Sequence, residues 1–235
     1  MLLVIFFSFE TFGATAMNTG FLTNQLTEQE KSTFISNIEL SFLTNEPIKR
    51  SIECFDVNEN ETIAIGQNGN STKKIVCVYS NNGVFQYGYT FKSSGTFGVE
   101  WSGDNINIYF IRSDVIVSVT PDGEISDIAE VENTTDNNSY LNNFIFSNRR
   151  MVGDTEYIIK NKPGIFNIFA SSYSMLISKN KNAEEHILYD VNSTQNLITL
   201  LRFITIVLFI SIVIFIVIKQ FKVTKRRQGS RPRVS

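Results

Sequence analysis

A chain of 235 residues with a single histidine has little room for acid–base chemistry near neutral pH. That residue, His186, stands in the strand-like stretch EHILYD, and any Ser-His-Asp or Cys-His arrangement must use it or not exist. No Gly-x-Ser-x-Gly pattern accompanies it, and a lone strand histidine reads more simply as structural. The two cysteines, Cys54 and Cys77, lack Cys-x-x-Cys spacing, so neither a zinc site nor a thioredoxin-type redox site is indicated. Asp56-Val57-Asn58-Glu59-Asn60 has the oxygen spacing of a calcium loop. Glu61 then stands where such a loop wants Gly, and Gln67 where it wants Glu, which leaves a polar hairpin turn. Glu100, Asp104, Asp114, Asp122 and Asp127 are carboxylates of the kind a glycosidase uses. That chemistry needs two of them about 5 to 9 Å apart across a cleft. Solvated turns account for the same carboxylates, and core packing for Trp101 and the many Tyr and Phe residues. Walker, Rossmann and kinase patterns are missing. The expectation is therefore no catalytic residue, no metal ligand and no cofactor.

The elements that carry these residues repeat. Residues 75–88 read IVCVYSNNGVFQYG and residues 115–128 read VIVSVTPDGEISDI, 40 residues further on. The first unit holds strand-like runs at 52–57, 62–66, 74–80 and 84–91, the second at 97–101, 106–111, 115–119 and 124–131. A weaker third holds 156–160, 165–170, 174–178 and 185–190. Ile106, Ile108 and Phe110 alternate with Asn107 and Tyr109, the period of a half-buried strand. The turns NENE, SNNG, SGDN and TPDG use residues that accept tight-turn dihedrals, and Gly83 and Gly123 occupy the same place in their units. Residues 132–150 interrupt the spacing and read as an Asn-rich loop running into one extra strand, NFIFS. Ahead of the repeats, Thr27 and Glu30 have capping-box spacing, predicting a short helix over about 28–36. ELSFLTNEP reads as a strand closed by Pro47.

Four antiparallel strands in about 40 residues resemble the blade of a β-propeller. The resemblance covers 52–131 and extends faintly to 190, without a Trp-Asp or kelch di-glycine signature. It implies an all-β ectodomain of about three blade-like units. Closed propellers usually have at least four blades, so three units imply an incomplete ring. The alternative fold is a β-sandwich of two antiparallel sheets. In a blade, Cys54 lies on the first strand and Cys77 on the third. Two strand spacings of about 4.8 Å each put them beyond disulfide reach, predicting two free buried thiols.

One segment is not globular. Residues 203–218 are uncharged, with Thr205 and Ser211 as the only polar side chains, and extension to Ile198 adds a single charge, Arg202. A spanning helix needs about 20 apolar residues. Lys219, Lys222, Lys225, Arg226 and Arg227 follow it, with Arg231 and Arg233 beyond, and Asp190 is the last acid. Short cation-rich flanks stay cytoplasmic, which puts the residues before about 197 outside. MLLVIFFSF followed by Ala14-Thr15-Ala16 reads as a signal peptide with an A-x-A cleavage site. No Lys or Arg precedes that run and Glu10 interrupts it. An upstream start, or initiation at Met17, remains open.

The expected organisation is a signal peptide at 1–16, a lead-in segment at 17–50, an extracytoplasmic β domain at 51–196, a transmembrane helix at 197–218 and a basic cytoplasmic tail at 219–235. Residues 17–196 hold 13 basic and 22 acidic side chains, a balance that disfavours nucleic-acid binding. The expected location is the plasma membrane, single-pass, with the N-terminus outside. The expected function is a non-enzymatic module that binds or scaffolds an envelope protein or ligand, or that associates with further copies of itself. The alternative is a carboxylate-dependent envelope hydrolase acting on glycan or peptide. Two buried acids with raised pKa values in one pocket would favour the hydrolase, and an open sheet edge or exposed apolar patch the binding module.

Overall fold

A computed structural model describes residues 17–162 and 172–229, with the side chains of 195, 196, 198 and 220–229 left out of the description. The described chain forms three antiparallel sheets and one long apolar C-terminal helix. The first sheet contains β3 (Ile52–Val57), β4 (Ile63–Asn68), β5 (Lys73–Tyr79) and β6 (Phe85–Lys92). The second contains β7 (Phe97–Ser102), β8 (Asn105–Phe110), β9 (Val115–Val119) and β10 (Ile125–Val131). The lead-in segment completes both. Its β1 (Thr23–Gln25) pairs with β10 and its β2 (Ser41–Leu43) with β6, so each sheet has five strands. Between them α1 (Glu28–Ile38) starts at the predicted capping box. Thr27 Oγ1 accepts from Glu30 N–H, and a Glu30 carboxylate oxygen accepts from Thr27 N–H.

The third sheet departs from expectation. Its strands are β11 (Arg149–Val152), β12 (Thr155–Lys160), β13 (Met175–Lys179) and β14 (Glu185–Asp190), in that order. The run at 165–170 lies outside the described residues, and β12 pairs directly with β13. NFIFS is not a strand. Residues 132–148 instead hold a short helix, α2 (Thr135–Tyr140), running into a π-helical turn, Leu141–Ile145. Three apolar residues between Asn143 and Ser147 cannot be assigned by pattern alone, and upstream the Thr134 cap starts a helix: its side chain accepts from Asn137 N–H.

The repeat survives this insertion in its turns. Ser80, Thr120 and Asn180 each accept at their carbonyl from the residue three positions on: Gly83, Gly123 and Ala183. All three donor residues have positive φ, 74°, 86° and 62°. The third unit thus uses the same left-handed turn with a Cβ in it.

The first sheet lies in the middle. One of its faces (Cys54, Ala64, Val76, Val78, Tyr89, Phe91) packs on the second sheet's Phe97, Val99, Ile106, Ile108 and Val117. Its other face (Phe55, Ile63, Ile65, Cys77, Tyr79) packs on the third sheet's Tyr157, Ile159, Leu176 and Tyr189. The second sheet is not half-buried as its alternation predicts. Phe21, Ile145 and the ring of Tyr140 cover its outer face, so Asn107 and Tyr109 are buried as well.

Each sheet has two ends. The turns at 69–72, 93–96 and 111–114 share one end, where Arg112 packs beside Gly95. Tyr173, just ahead of β13, pairs with Ile52 at that same end. The chain therefore leaves β14 there and, after Val191 alone, enters α3 (Asn192–Gly229). The stretch Asn192–Lys219 is long and apolar enough to cross a membrane, and none of its apolar window is buried in the protein.

Candidate functional site

The first strand of each unit brings a polar side chain inward, and these meet. Asp56 on β3 is buried and forms an ion pair with buried Arg150 on β11, at 2.6 Å from Nε to Oδ1. Its other oxygen, Oδ2, accepts from the backbone N–H of Trp101 on β7 at 2.7 Å. One carboxylate thereby ties the three sheets together. Arg150 spends its remaining donors on backbone carbonyls: Nη1 to Arg149 at 2.9 Å and Nη2 to Phe55 at 3.2 Å. Its guanidinium carbon lies 4.5 Å from the centre of the Phe144 ring. A planar fork suits this better than a lysine ammonium would, because it can satisfy several acceptors and still stack.

A second carboxylate lies beside the first on β7. Glu100 is buried, with Oε1 accepting from Asn107 Nδ2 at 3.1 Å and Oε2 from the Tyr140 hydroxyl at 2.7 Å. Register explains the first contact, since Glu100 and Asn107 are directly paired across β7 and β8 on one face. The insertion supplies the second. Asn107 Nδ2 also donates to the carbonyl of Asn18, and Asn137 holds both the N–H and the carbonyl of Leu22. The start of the lead-in segment is thus clamped by side chains from β8 and α2.

Burial pushes the carboxyl of Glu100 above the ordinary carboxylate range, against the pull of its Thr19, Tyr140 and Asn107 hydrogen bonds. Burial acts likewise on Asp56, opposed by Arg150 and by the Trp101 amide. Two buried acids with raised pKa values are thus present. All four of their oxygens accept hydrogen bonds from the protein, and neither residue lines the clefts described on the surface. Asn107 Oδ1 and Trp101 Nε1 are buried without a partner among the described residues.

The other candidates are dispersed. Asn58 Oδ1 accepts from the N–H groups of Asn60 and Thr62, the arrangement of a polar hairpin turn. Asp114 accepts from the Tyr109 hydroxyl at 2.9 Å, and Asp127 from the N–H of Ile128. Asp104 and Asp122 lie on turns at the end opposite α3. His186 is exposed on β14. Cys54 and Cys77 are free, buried and on opposite faces of the first sheet. Among the described residues no group of three or more His, Cys, Asp or Glu is placed to hold a metal ion. Lys219 is exposed, and Lys222, Lys225, Arg226 and Arg227 lie within the last turns of α3. Ala14 and Ala16 fall outside the described residues.

Sequence patterning missed Arg150, Tyr140 and Asn107. The one available signal was Asp56 itself, a carboxylate among apolar residues on a strand with the burial pattern of a core strand. Comparison of the chain with protein-family models, with curated proteins and with solved structures finds no match in any of the three.

Proposed function

We propose that the chain is a single-span membrane protein whose sheets form a propeller-like binding or scaffolding module outside the plasma membrane, with α3 crossing and the basic tail inside. The observation that carries this is α3, whose stretch Asn192–Lys219 is long and apolar enough to cross a membrane with none of its apolar window buried, and which is joined to the β domain through Val191 alone. Its two hydroxyls inside the apolar run, Thr205 and Ser211, donate to the carbonyls of Leu201 and Val207, so neither needs water. The cations that follow favour a cytoplasmic C-terminus.

Three sheets converging at their first strands on Asp56, with the α2 insertion filling the space beside the second, suit an incomplete propeller better than a two-sheet sandwich. Binding rather than catalysis is supported by the carboxylates, which are spent on holding the sheets. It is also supported by β14, which among the described residues ends its sheet without the extra strand that β1 and β2 give the others. Glu185, His186 and Ile187 are exposed along it. Such an edge accepts an extended strand from a partner.

A photo-crosslinker placed at Ile187 of the full chain in intact cells tests the reading. A discrete adduct with an envelope protein, absent when the probe stands at Lys31, is expected. Glycan or peptide hydrolysis by the purified chain, lost in Glu100→Gln, would establish the hydrolase instead.

A further inference from the structure

The end of the β domain from which α3 leaves carries a cleft that the binding edge does not use. It opens beside the C-terminal half of α1 and the turns of the first two sheets. One part, of about 310 Å³, is lined by Glu39, Ser41, Thr72, Lys73, Thr90 and Lys92 among others. The adjoining part, of about 450 Å³, shares Thr72 and Lys92 and adds Phe34, Ser94, Phe110 and Arg112. Three cations face one carboxylate here, in a region that otherwise has far more acids than bases. Lys92 pairs with Glu39. Arg112 donates one guanidinium N–H to Ser94 Oγ at 3.2 Å, and Lys73 makes no ion pair among the described residues. Ser41, Thr72 and Thr90 contribute hydroxyl groups to the same lining. Phe34, Phe91 and Phe110 form an aromatic floor, with ring centres 5.1 and 5.2 Å apart.

The end from which α3 leaves mixes these cations with acids such as Asp114, Glu132 and Asp190, whereas the turns of the opposite end carry Glu59, Glu61, Asp104, Asp122, Glu124, Asp154 and Glu184 against Lys181 alone. The cation-bearing end is also the one nearest the bilayer if α3 spans. From Asn192 to Ile198, where the apolar run begins, the helix rises about 9 Å. The headgroup layer is itself about 5 to 8 Å deep. The end of the β domain that carries the cleft therefore stands at the outer edge of the headgroup layer, within reach of long Lys and Arg side chains.

We infer that this cleft binds the phosphate headgroup of an anionic bilayer lipid. Lys73 and Arg112 supply the charge, the hydroxyls donate to phosphate oxygens, and the aromatic floor receives the less polar glycerol part. The inference rests on the reading of α3 as a span. It also gives the β domain a fixed attitude, with the acidic turns directed away from the anionic surface.

The test uses the full chain in lipid nanodiscs, with hydrogen exchange read at 70–73, 92–96 and 111–113. In discs containing phosphatidylglycerol, exchange at these amides slows by about fivefold relative to pure phosphatidylcholine discs, one cation's worth of surface attraction. The doubly substituted Lys73→Glu, Arg112→Glu chain loses that difference and keeps its exchange elsewhere. Equal exchange in both discs overturns the site. Equal slowing by millimolar inorganic phosphate in neutral discs assigns the cleft to a soluble anion and overturns the lipid. A chain that alkaline carbonate strips from neutral vesicles overturns the span, and with it the placing of the cleft against a bilayer.

Discussion

At the scale of residues, Asp56 is a structural carboxylate that joins the three sheets. Removing one partner of a buried ion pair leaves the other charge unpaired, at a cost of about 3–5 kcal/mol. Asp56→Ala is therefore expected to destabilise the chain by that order in urea unfolding. Asp56→Leu with Arg150→Met together should cost much less than the sum of the single changes, since the pair carries its own desolvation. Additive costs would mean that the two residues act independently. Glu100 gives a pH dependence. Its folded-state pKa is raised by burial, so the folded chain holds that proton more tightly than the unfolded chain. The stability this contributes is full below the ordinary carboxylate pKa and is lost as pH rises through the raised value. Glu100→Gln, neutral throughout, should show a smaller fall in stability between weakly acidic and neutral pH, and an unchanged slope would count against the assignment. The cysteines should be inert. Burial pushes the Cys77 thiol up to about 12 and raises Cys54 too, and the thiolate is the reactive form. Alkylating reagents should modify both only after unfolding, and fast labelling of the native chain would contradict their placing.

At the scale of elements, the turn shared by the three units yields a direct comparison. Gly83 and Gly123 take positive φ without a Cβ, while Ala183 takes φ 62° with one. A Cβ in the left-handed region costs about 1–2 kcal/mol. Ala183→Gly should recover about 1 kcal/mol in thermal or urea unfolding, less what the freer unfolded chain gives back. A neutral or destabilising result would show that the third unit does not share the turn. The turns and eight strands of the first two units were legible because strand alternation and turn chemistry are local. Of the lead-in strands, β2 lies inside the expected strand ELSFLTNEP, and β1 was harder. Thr23–Gln25 is polar and three residues long, and it becomes a strand only because β10 offers it an edge. Arg149–Val152 was hidden for the same reason, since a strand that opens Arg-Arg reads as a loop until Asp56, 94 residues earlier in the chain, supplies the partner. Glu100 was named with the surface carboxylates because nothing near it in sequence announces Tyr140, and the contact exists only once the insertion folds over the second sheet.

At the scale of the whole molecule, we propose a β domain on one side of a membrane and a cationic tail on the other. The apolar run and the cations after it were readable directly, because a bilayer imposes length and charge rules on the chain itself. The three-sheet arrangement was not, because the order in space, second sheet, first, third, follows from which faces pack and not from the repeat. The most direct test is protease accessibility of the full chain in intact cells, probed with antibodies to the β domain and to the tail. External protease is predicted to remove the β-domain signal while leaving a small fragment that keeps the tail signal. A β domain protected in intact cells, with a tail that external protease cleaves, would invert the orientation and place the partners of β14 in the cytoplasm.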